Sequence, residues 1–346
     1  MKRALVIGGS GFIGLNLVDE LIAQDWQVRC TRRKQSITVF LRKRPVELVR
    51  VDLDDTDSLA AAMQDCDAVF MAAGYYPRYS LDRDTAIETG TAQIKAVLRA
   101  AQIANVPRFI YTSSIATLDR AASGKLATED TIADHIPADS VYRAVKWAME
   151  REVQNAALEG LNTITMMPGA CIGPWDVRVG TSGLLLAVVQ GLLPWWVNGI
   201  VNLVDVGDVA KAHVAAANLV SPKARYCHPG HNVELGVLFR RIVQLFGGSY
   251  PARALPRKLA VQRALAEEQI AAANGSRVAF PLELVDMVNA GQAVSAKRIM
   301  HELHIPLTSI DTSLYRAHQW FVRFKYLPSI EQDIAVGGED AFNHAR

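Results

Sequence analysis

The sequence predicts an α/β fold, a doubly wound parallel sheet followed by a smaller and mostly helical C-terminal part. Three observations carry this. Short β-branched runs alternate with helix-period patterns through the first half of the chain. A glycine-rich turn separates the first run from the first helix. After Pro168 the rhythm breaks: glycines, prolines and tryptophans crowd residues 169–198, and helical patterning dominates from about residue 225 onward. Alternating strands and helices bury both faces of a parallel sheet, and their crossovers are right-handed.

Residues 4–7 (Ala-Leu-Val-Ile) read as the first strand, and residues 12–23, apolar at helical spacing, as the first helix. Strands are expected at 28–31 and 48–53, a helix at 58–66, a fourth strand at 68–72 and a helix at 92–105. A fifth strand follows at 109–113, a long helix at 140–159 and a sixth strand at 162–167. A strand-like run at 201–206 leads into a helix at 209–219, and loops at 247–256 and 305–308 interrupt the later helices. The expected division is a sheet domain from 1–168 and 201–224, a second domain from 169–200 and 225–330, and a polar, aperiodic tail at 331–346.

With 346 residues, 50% of them hydrophobic, the chain can bury a sizeable core. A formal net charge of +2 without a long basic run argues against a nucleic-acid partner. Cys30, Cys66, Cys171 and Cys227 are scattered without paired spacing, which suggests reduced thiols and a cytoplasmic location. The first apolar run breaks at once into glycines, so no secretory leader is expected. The longest apolar stretch, residues 183–201, carries Gln190, Pro194 and Asn198. It reads as a buried helix and turn, or as the wall of a pocket, and not as a membrane span. His228 and His231, like His301 and His304, are three apart but lack a third ligand of suitable type, so no metal site is expected.

The turn Gly8-Gly9-Ser10-Gly11-Phe12-Ile13-Gly14 carries the strongest functional signal. Gly8 allows a tight exit from the strand, Gly11 a close backbone approach to a pyrophosphate, and Gly14 close packing of helix on sheet. The free N–H groups of the following helix start, with the positive end of its dipole, suit phosphate. The pattern, set between a strand and a helix, implies a Rossmann dinucleotide site formed by Gly8, Ser10, Gly11, Phe12, Ile13 and Gly14. An NAD site usually presents an acidic residue at the end of the second strand; here Cys30-Thr31-Arg32-Arg33-Lys34 offers only cations. Guanidinium groups bond a phosphate bidentately, so NADP(H) is favoured over NAD(H), with Arg33 and Arg32 as ligands, although an exposed basic turn reads the same way. Asp52 and Leu53, closing the third run, are placed either to reach an adenine edge or simply to cap the strand.

Tyr142 and Lys146 are four apart on the long helix and so share a face. A free phenol, with a pKa near ~10, is a poor base at neutral pH, and an adjacent ammonium favours its phenolate. The pair therefore suits proton transfer to or from a hydroxyl. Ser114 closes the fifth strand, at the sheet edge where ligands bind, and could hold a carbonyl oxygen. Tyr75 and Tyr76, just past the fourth strand, are expected to overhang the same crevice as substrate contacts.

Taken together, these motifs resemble the extended short-chain dehydrogenase/reductase family, also called the NAD-dependent epimerase/dehydratase family, over about residues 1–328. The dihydroflavonol-reductase-like branch and the nucleotide-sugar epimerases look most similar. Matching pieces beyond the glycine turn are Val51-Asp52-Leu53, Ala72-Ala73, Tyr111 through Ser114, Tyr142 through Lys146, Pro168-Gly169, Ile172-Gly173-Pro174, Val204 through Ala210, and Ser295 through Trp320. The resemblance implies a seven-stranded Rossmann sheet with a C-terminal substrate domain, a small-molecule substrate and often a homodimer. It implies that Tyr142 is the acid/base, that Lys146 bonds the nicotinamide ribose, that Ser114 orients the substrate oxygen, that Ala72 and Ala73 line the cofactor, that Pro168 lies against the nicotinamide, and that Arg33 meets a 2′-phosphate. Three departures stand out. No asparagine occupies the Ile87-Glu88-Thr89-Gly90-Thr91 segment; Ile115-Ala116 replace the acidic pair that dehydratases carry after the strand-end serine; and residues 199–203 lack the arginine that grips a sugar diphosphate. Arg225 or another arginine could supply that grip. Net redox chemistry is the leading expectation, epimerisation through a transient ketone the second, and a non-catalytic dinucleotide-binding protein the third.

Overall fold

In the computed structural model the chain is described from residue 1 to 328, apart from residues 252, 277, 279, 280 and 290, and without the side chains of 283, 284, 287 and 289. The expected tail at 331–346 lies outside the described residues. Strands β1 (Arg3–Ile7), β2 (Gln27–Arg32), β3 (Val46–Arg50), β4 (Ala68–Met71), β5 (Phe109–Thr112) and β6 (Thr163–Pro168) arise from the six expected runs. Helices α1 (Phe12–Ala23), α2 (Thr56–Met63), α3 (Arg83–Ile103) and α4 (Val141–Leu158) lie among them. Helix α3 begins earlier than its apolar spacing suggests, because Asp82 caps it by accepting the Thr85 N–H, and Asp84 faces the helix dipole.

The remaining elements are β7 (Ala170–Ile172), α5 (Gly183–Val189), β8 (Trp196–Val197), β9 (Ile200–Asp205), α6 (Val206–Asn218), β10 (Arg225–His228), β11 (His231–Glu234), α7 (Leu235–Phe246), β12 (Ala254–Leu255), α8 (Arg257–Asn274), α9 (Leu282–Asn289), α10 (Lys297–Glu302) and α11 (Ile310–Arg323). The main sheet has seven parallel strands in the order β10-β6-β5-β4-β1-β2-β3. Successive side chains of a strand point to opposite faces. Ala4 and Val6 of β1 accordingly join Leu17, Leu21 and the α6 residues Ala210 and Val214 in one core layer. Leu5 and Ile7 join Leu59, Ile94, Leu98, Val145 and Met149 in the other. Each fully buried Leu or Ile contributes roughly 1.5–3 kcal/mol, so the two-sided burial accounts for why these strands read as continuous apolar runs.

Two expectations need correction. Residues 201–206, assigned to the sheet domain, form β9, which pairs in parallel with β7 and antiparallel with β11 in a separate three-stranded sheet. The seventh strand is β10, from the stretch assigned to the second domain, and it pairs with β6 from Arg225↔Thr165 to His228↔Pro168. An apolar run marks a strand but not its partner. The Arg-Tyr-Cys-His run of β10 is short and polar at both ends, so its hydrophobicity gives no warning. Helix α6 does return to the sheet and packs on α1, as expected of the connecting helix. The small sheet, α5, α7, α8 and α11 enclose a separate core around Leu185, Trp195, Leu238, Phe239 and Phe321. Among the described residues no helix is long and apolar enough to cross a membrane.

Candidate active site

Because the main strands are parallel, the C-terminal ends of β1, β2, β4, β5 and β6 share one edge of the sheet. The chain leaves β1 toward β2 and β3 on one side and resumes with β4 on the other, so a crevice opens between β1 and β4. The Ala72 and Ala73 N–H groups both donate to the Ile7 carbonyl, at 2.9 and 3.0 Å, and hold the two strand exits together. The glycine turn occupies this point. Gly8 has φ +91°, and a Cβ there would lie 2.7 Å from the Ala73 nitrogen. A Cβ on Gly14 would lie 2.1 Å from the Gly8 carbonyl oxygen. The Gly11 N–H donates to that oxygen at 2.9 Å, and Gly11 itself starts α1 without any side chain to cap it. The first-turn N–H groups of a helix have no intrahelical acceptor, so this turn offers donors and the space to approach them. Phe12 and Ile13 pack their side chains onto a small core of Cys171, Val204, Val206 and Val209. A pyrophosphate fits a cradle of this kind.

Arg32 ends β2, half-buried, and Arg33 follows it, exposed, in a turn closed by Ser36, whose Oγ accepts the Arg33 N–H at 2.8 Å. Both residues leave the strand next to β1 at the same edge of the sheet as the glycine turn. Asp52 is exposed and Leu53 half-buried. β3 ends at Arg50, so both belong to the loop beyond the strand. Pro168 is buried at the end of β6, with the following Gly169 N–H donating to the His228 carbonyl at 3.0 Å.

On the other side of the crevice, Ser140 caps α4 by accepting the Arg143 N–H. Tyr142 lies half-buried in the first turn and Lys146 is buried one turn later. The Tyr142 ring stacks on the ring of Tyr76, with centroids 5.5 Å apart and planes 23° from parallel. The Lys146 Nζ sits 4.9 Å from the centroid of the Tyr76 ring. It also lies where a side chain at Gly74 would have to go, 2.7 Å from a Cβ built there. With the Tyr76 ring exposed, an ammonium–ring contact of this kind is worth about 0.5–1 kcal/mol. Of the two tyrosines past β4, Tyr76 thus joins the Tyr142–Lys146 pair, whereas Tyr75 leans on the α2–α4 core. The Tyr76 loop is anchored to α8: Arg78 donates to the Gly275 carbonyl at 2.7 Å, and the Ser80 N–H donates to the buried Glu268 carboxylate at 2.6 Å.

Ser114 begins a short 3₁₀ turn and its Oγ accepts the Ala116 N–H at 3.2 Å. Arg143, the residue after Tyr142, donates to the Ala116 and Leu118 carbonyls at 2.9 and 3.1 Å. The Ser114 turn is therefore docked on the first turn of α4, beside Tyr142. Arg225 does not do what the sequence suggested. Its guanidinium is buried in an ion pair with Glu150 at 2.8 Å and donates to the Glu129 carbonyl at 2.6 Å. The strand pairing of β10 beside β6 carries it under α4, where it meets Glu150. In the Ile87 to Thr91 segment, Gly90 lets α3 approach α4: a Cβ there would lie 2.9 Å from Val145 Cγ1.

Sequence reasoning passed over Glu150, although it stands four residues after Lys146 and eight after Tyr142, on the same helix face. It also passed over His213, whose Nε2 pairs with the Thr112 hydroxyl at 2.9 Å and whose Nδ1 faces the Val209 carbonyl at 2.7 Å. A carbonyl only accepts, so Nδ1 carries the proton. Burial pushes His213 down to about 4 and the neighbouring His228 down to about 3. The four cysteines are all buried free thiols.

The comparisons with known proteins bear on the family and the fold. The profile of the NAD dependent epimerase/dehydratase family matches residues 4–227. A protein of Synechocystis sp. named as a provisional dihydroflavonol 4-reductase is 30% identical over 327 residues, spanning 93% of this chain and 95% of its own. A nucleoside-diphosphate-sugar epimerase from Pseudomonas aeruginosa has the same fold, with a TM-score of 0.78, 23% identity and coverage of 94% of this chain and 99% of that one. UDP-glucose 4-epimerase from Thermus thermophilus, solved in complex with NAD, superimposes with a TM-score of 0.70 at 20% identity, covering 92% and 98% of the two chains. With the family profile matched over more than half its length, this chain is an NAD(P)-dependent enzyme and belongs to the NAD-dependent epimerase/dehydratase family of extended short-chain dehydrogenases/reductases.

Proposed function

We propose that the protein is an NADP(H)-dependent oxidoreductase acting on the carbonyl or alcohol carbon of a small molecule. The observation that carries this reading is the convergence of Tyr142 and Lys146 with the Gly74–Tyr76 segment, beside a glycine turn shaped for a pyrophosphate. The bound nicotinamide supplies or takes the hydride. Tyr142 gives the substrate oxygen its proton in the reductive direction and recovers it in the other. Lys146 stabilises the phenolate that results. The Ser114 hydroxyl holds the substrate oxygen beside the phenol. Arg33 and Arg32 supply bidentate donors for a 2′-phosphate at a place where an NAD-selective site carries a carboxylate.

Sugar-nucleotide epimerisation uses the same acid/base pair, and the fold neighbours bear epimerase names. The Arg225–Glu150 ion pair occupies one of the arginines that could hold a diphosphate, which favours the redox reading over this one. The deciding experiment titrates NADPH and NADH by fluorescence, then tests turnover on a panel of aldehydes, ketones and UDP-sugars. NADPH is expected to bind more tightly, and Arg33→Ala to weaken NADPH alone by about tenfold, the worth of one charge-assisted hydrogen-bonding group. Equal affinity for both cofactors in wild type and variant removes the 2′-phosphate assignment. Tyr142→Phe is expected to lower turnover about 10²–10⁴-fold with cofactor affinity kept. Full activity in that variant removes Tyr142 as the proton donor. Epimerised UDP-sugar without net cofactor oxidation replaces the redox reading with the epimerase one.

A further inference from the structure

We infer that Glu150 is a positioning residue that sets where the Ser114 hydroxyl stands relative to Tyr142 and Lys146; the inference rests on the proposed roles of those three residues. Glu150 lies one turn beyond Lys146 and two beyond Tyr142, all on one face of α4. Its side chain is 3% exposed. Oε2 accepts the Ser113 hydroxyl at 2.5 Å and the Thr117 hydroxyl at 2.9 Å. Oε1 faces the Arg225 Nη2 at 2.8 Å.

The choice of partners is what gives this carboxylate a role in the site. Ser113 and Thr117 bracket the turn that carries Ser114, one immediately before it and one three residues after it. The Thr117 hydroxyl also lies 2.9 Å from the Ser114 carbonyl, so its single proton is shared between that carbonyl and Glu150. A single group on the acid/base helix therefore grips both ends of the turn. Arg143 grips its middle from the same helix through Ala116. A carboxylate accepts several hydrogen bonds at once, and here two hydroxyls converge on Oε2 while the Arg225 guanidinium forms an ion pair with Oε1. An amide in its place could keep an oxygen toward Arg225 only by turning its NH2 toward the two hydroxyls, which would lose their charged acceptor. Arg225 is anchored in turn by the Glu129 carbonyl and by its place in β10, so the carboxylate is fixed from behind. Buried ion pairs add little net stability compared with apolar packing but hold a particular geometry, and misplacing a reacting group by 1 Å costs about 10²-fold in rate.

The test compares wild type, Glu150→Gln, the double variant Ser113→Ala/Thr117→Val, and Tyr142→Phe. The double variant leaves the Glu150–Arg225 pair in place and guards against a simple folding failure in Glu150→Gln. Three quantities are measured: NADPH affinity by fluorescence, turnover of 4-nitrobenzaldehyde with NADPH or of UDP-glucose with NAD, and amide hydrogen exchange across residues 113–118. Both altered-staple proteins should lose at least about tenfold in kcat, keep NADPH affinity within about twofold and exchange faster at 113–118 than elsewhere. Unchanged kcat, or equal losses of kcat and NADPH affinity together with a general rise in exchange, overturns the inference and leaves Glu150 a purely structural group. Full turnover by Tyr142→Phe refutes the proposed chemistry instead, and the exchange at 113–118 then decides alone whether Glu150 orders the turn.

Discussion

The two turns that face each other across the crevice are held in opposite ways. The glycine turn is fixed by what its residues lack. Gly8 takes a left-handed backbone and Gly14 leaves room for the Gly8 carbonyl, so seven consecutive residues specify their own shape. The Ser114 turn is fixed by what distant residues supply. Ser113 and Thr117 bond to Glu150, Ala116 to Arg143, and Glu150 to Arg225 on the edge strand. The first device is steric and mostly local, with one outside contact where Gly8 meets Ala73; the second is polar and long-range. A local device survives changes elsewhere in the chain but tolerates no extra atoms. A long-range device tolerates change in the turn itself but fails when a remote partner is removed.

The largest expected effect tests that remote dependence. Arg225→Met leaves Glu150 buried without its cation and should destabilise the fold by about 3–5 kcal/mol, read in a urea melt. A loss below about 1 kcal/mol would show that solvent reaches the pair and that the turn does not depend on it. The next effect is a pH response on the same side of the crevice. His213 binds its proton only near pH 4 in the folded chain, against an ordinary value of 6.5, so the unfolded chain binds more protons between those values. Its contribution is complete above pH 6.5 and is lost as the pH falls toward 4, by up to roughly 3 kcal/mol. His213→Gln should flatten that slope, leaving the part due to His228, which titrates lower. An identical slope in the variant would place the acid sensitivity elsewhere. The smallest effect on stability belongs to the glycine turn. Gly14→Ala forces a methyl group against the Gly8 carbonyl and should cost about 1–3 kcal/mol. Its signature is a much larger relative loss of NADPH binding, with exchange at 113–118 untouched. If that segment loosens as well, the two turns are coupled and not independently held.

The different origins of the turns explain which parts of the site could be read in advance. The glycine turn, its strand and its helix were legible because the signal is contiguous: α1 runs from Phe12 to Ala23, as its apolar spacing predicts. Tyr142 and Lys146 were legible as a pair because four residues make one helical turn. Glu150 repeats that spacing once more, but a lone carboxylate on a helix is ordinarily a solvated group, and nothing in the sequence announces that Arg225 will meet it. The pairing of Arg225 with Glu150 was hidden for the same reason. It depends on β10 pairing with β6, and a four-residue run with charged or polar ends does not state its partner.

By itself, then, the amino-acid order determined the alternating sheet and helices, the phosphate-shaped turn and the helix face that carries a phenol above an ammonium. These follow from periodicity, from glycine's missing side chain and from helix geometry, all of which act within a few residues. Only the tertiary structure decided which strand closes the sheet, that Tyr76 rather than Tyr75 covers the phenol, and that Glu150 and Arg225 brace the serine turn. Such choices belong to groups dozens of residues apart. Their contacts form only when the sheet has assembled, because burial, and not proximity in the chain, brings these charges together.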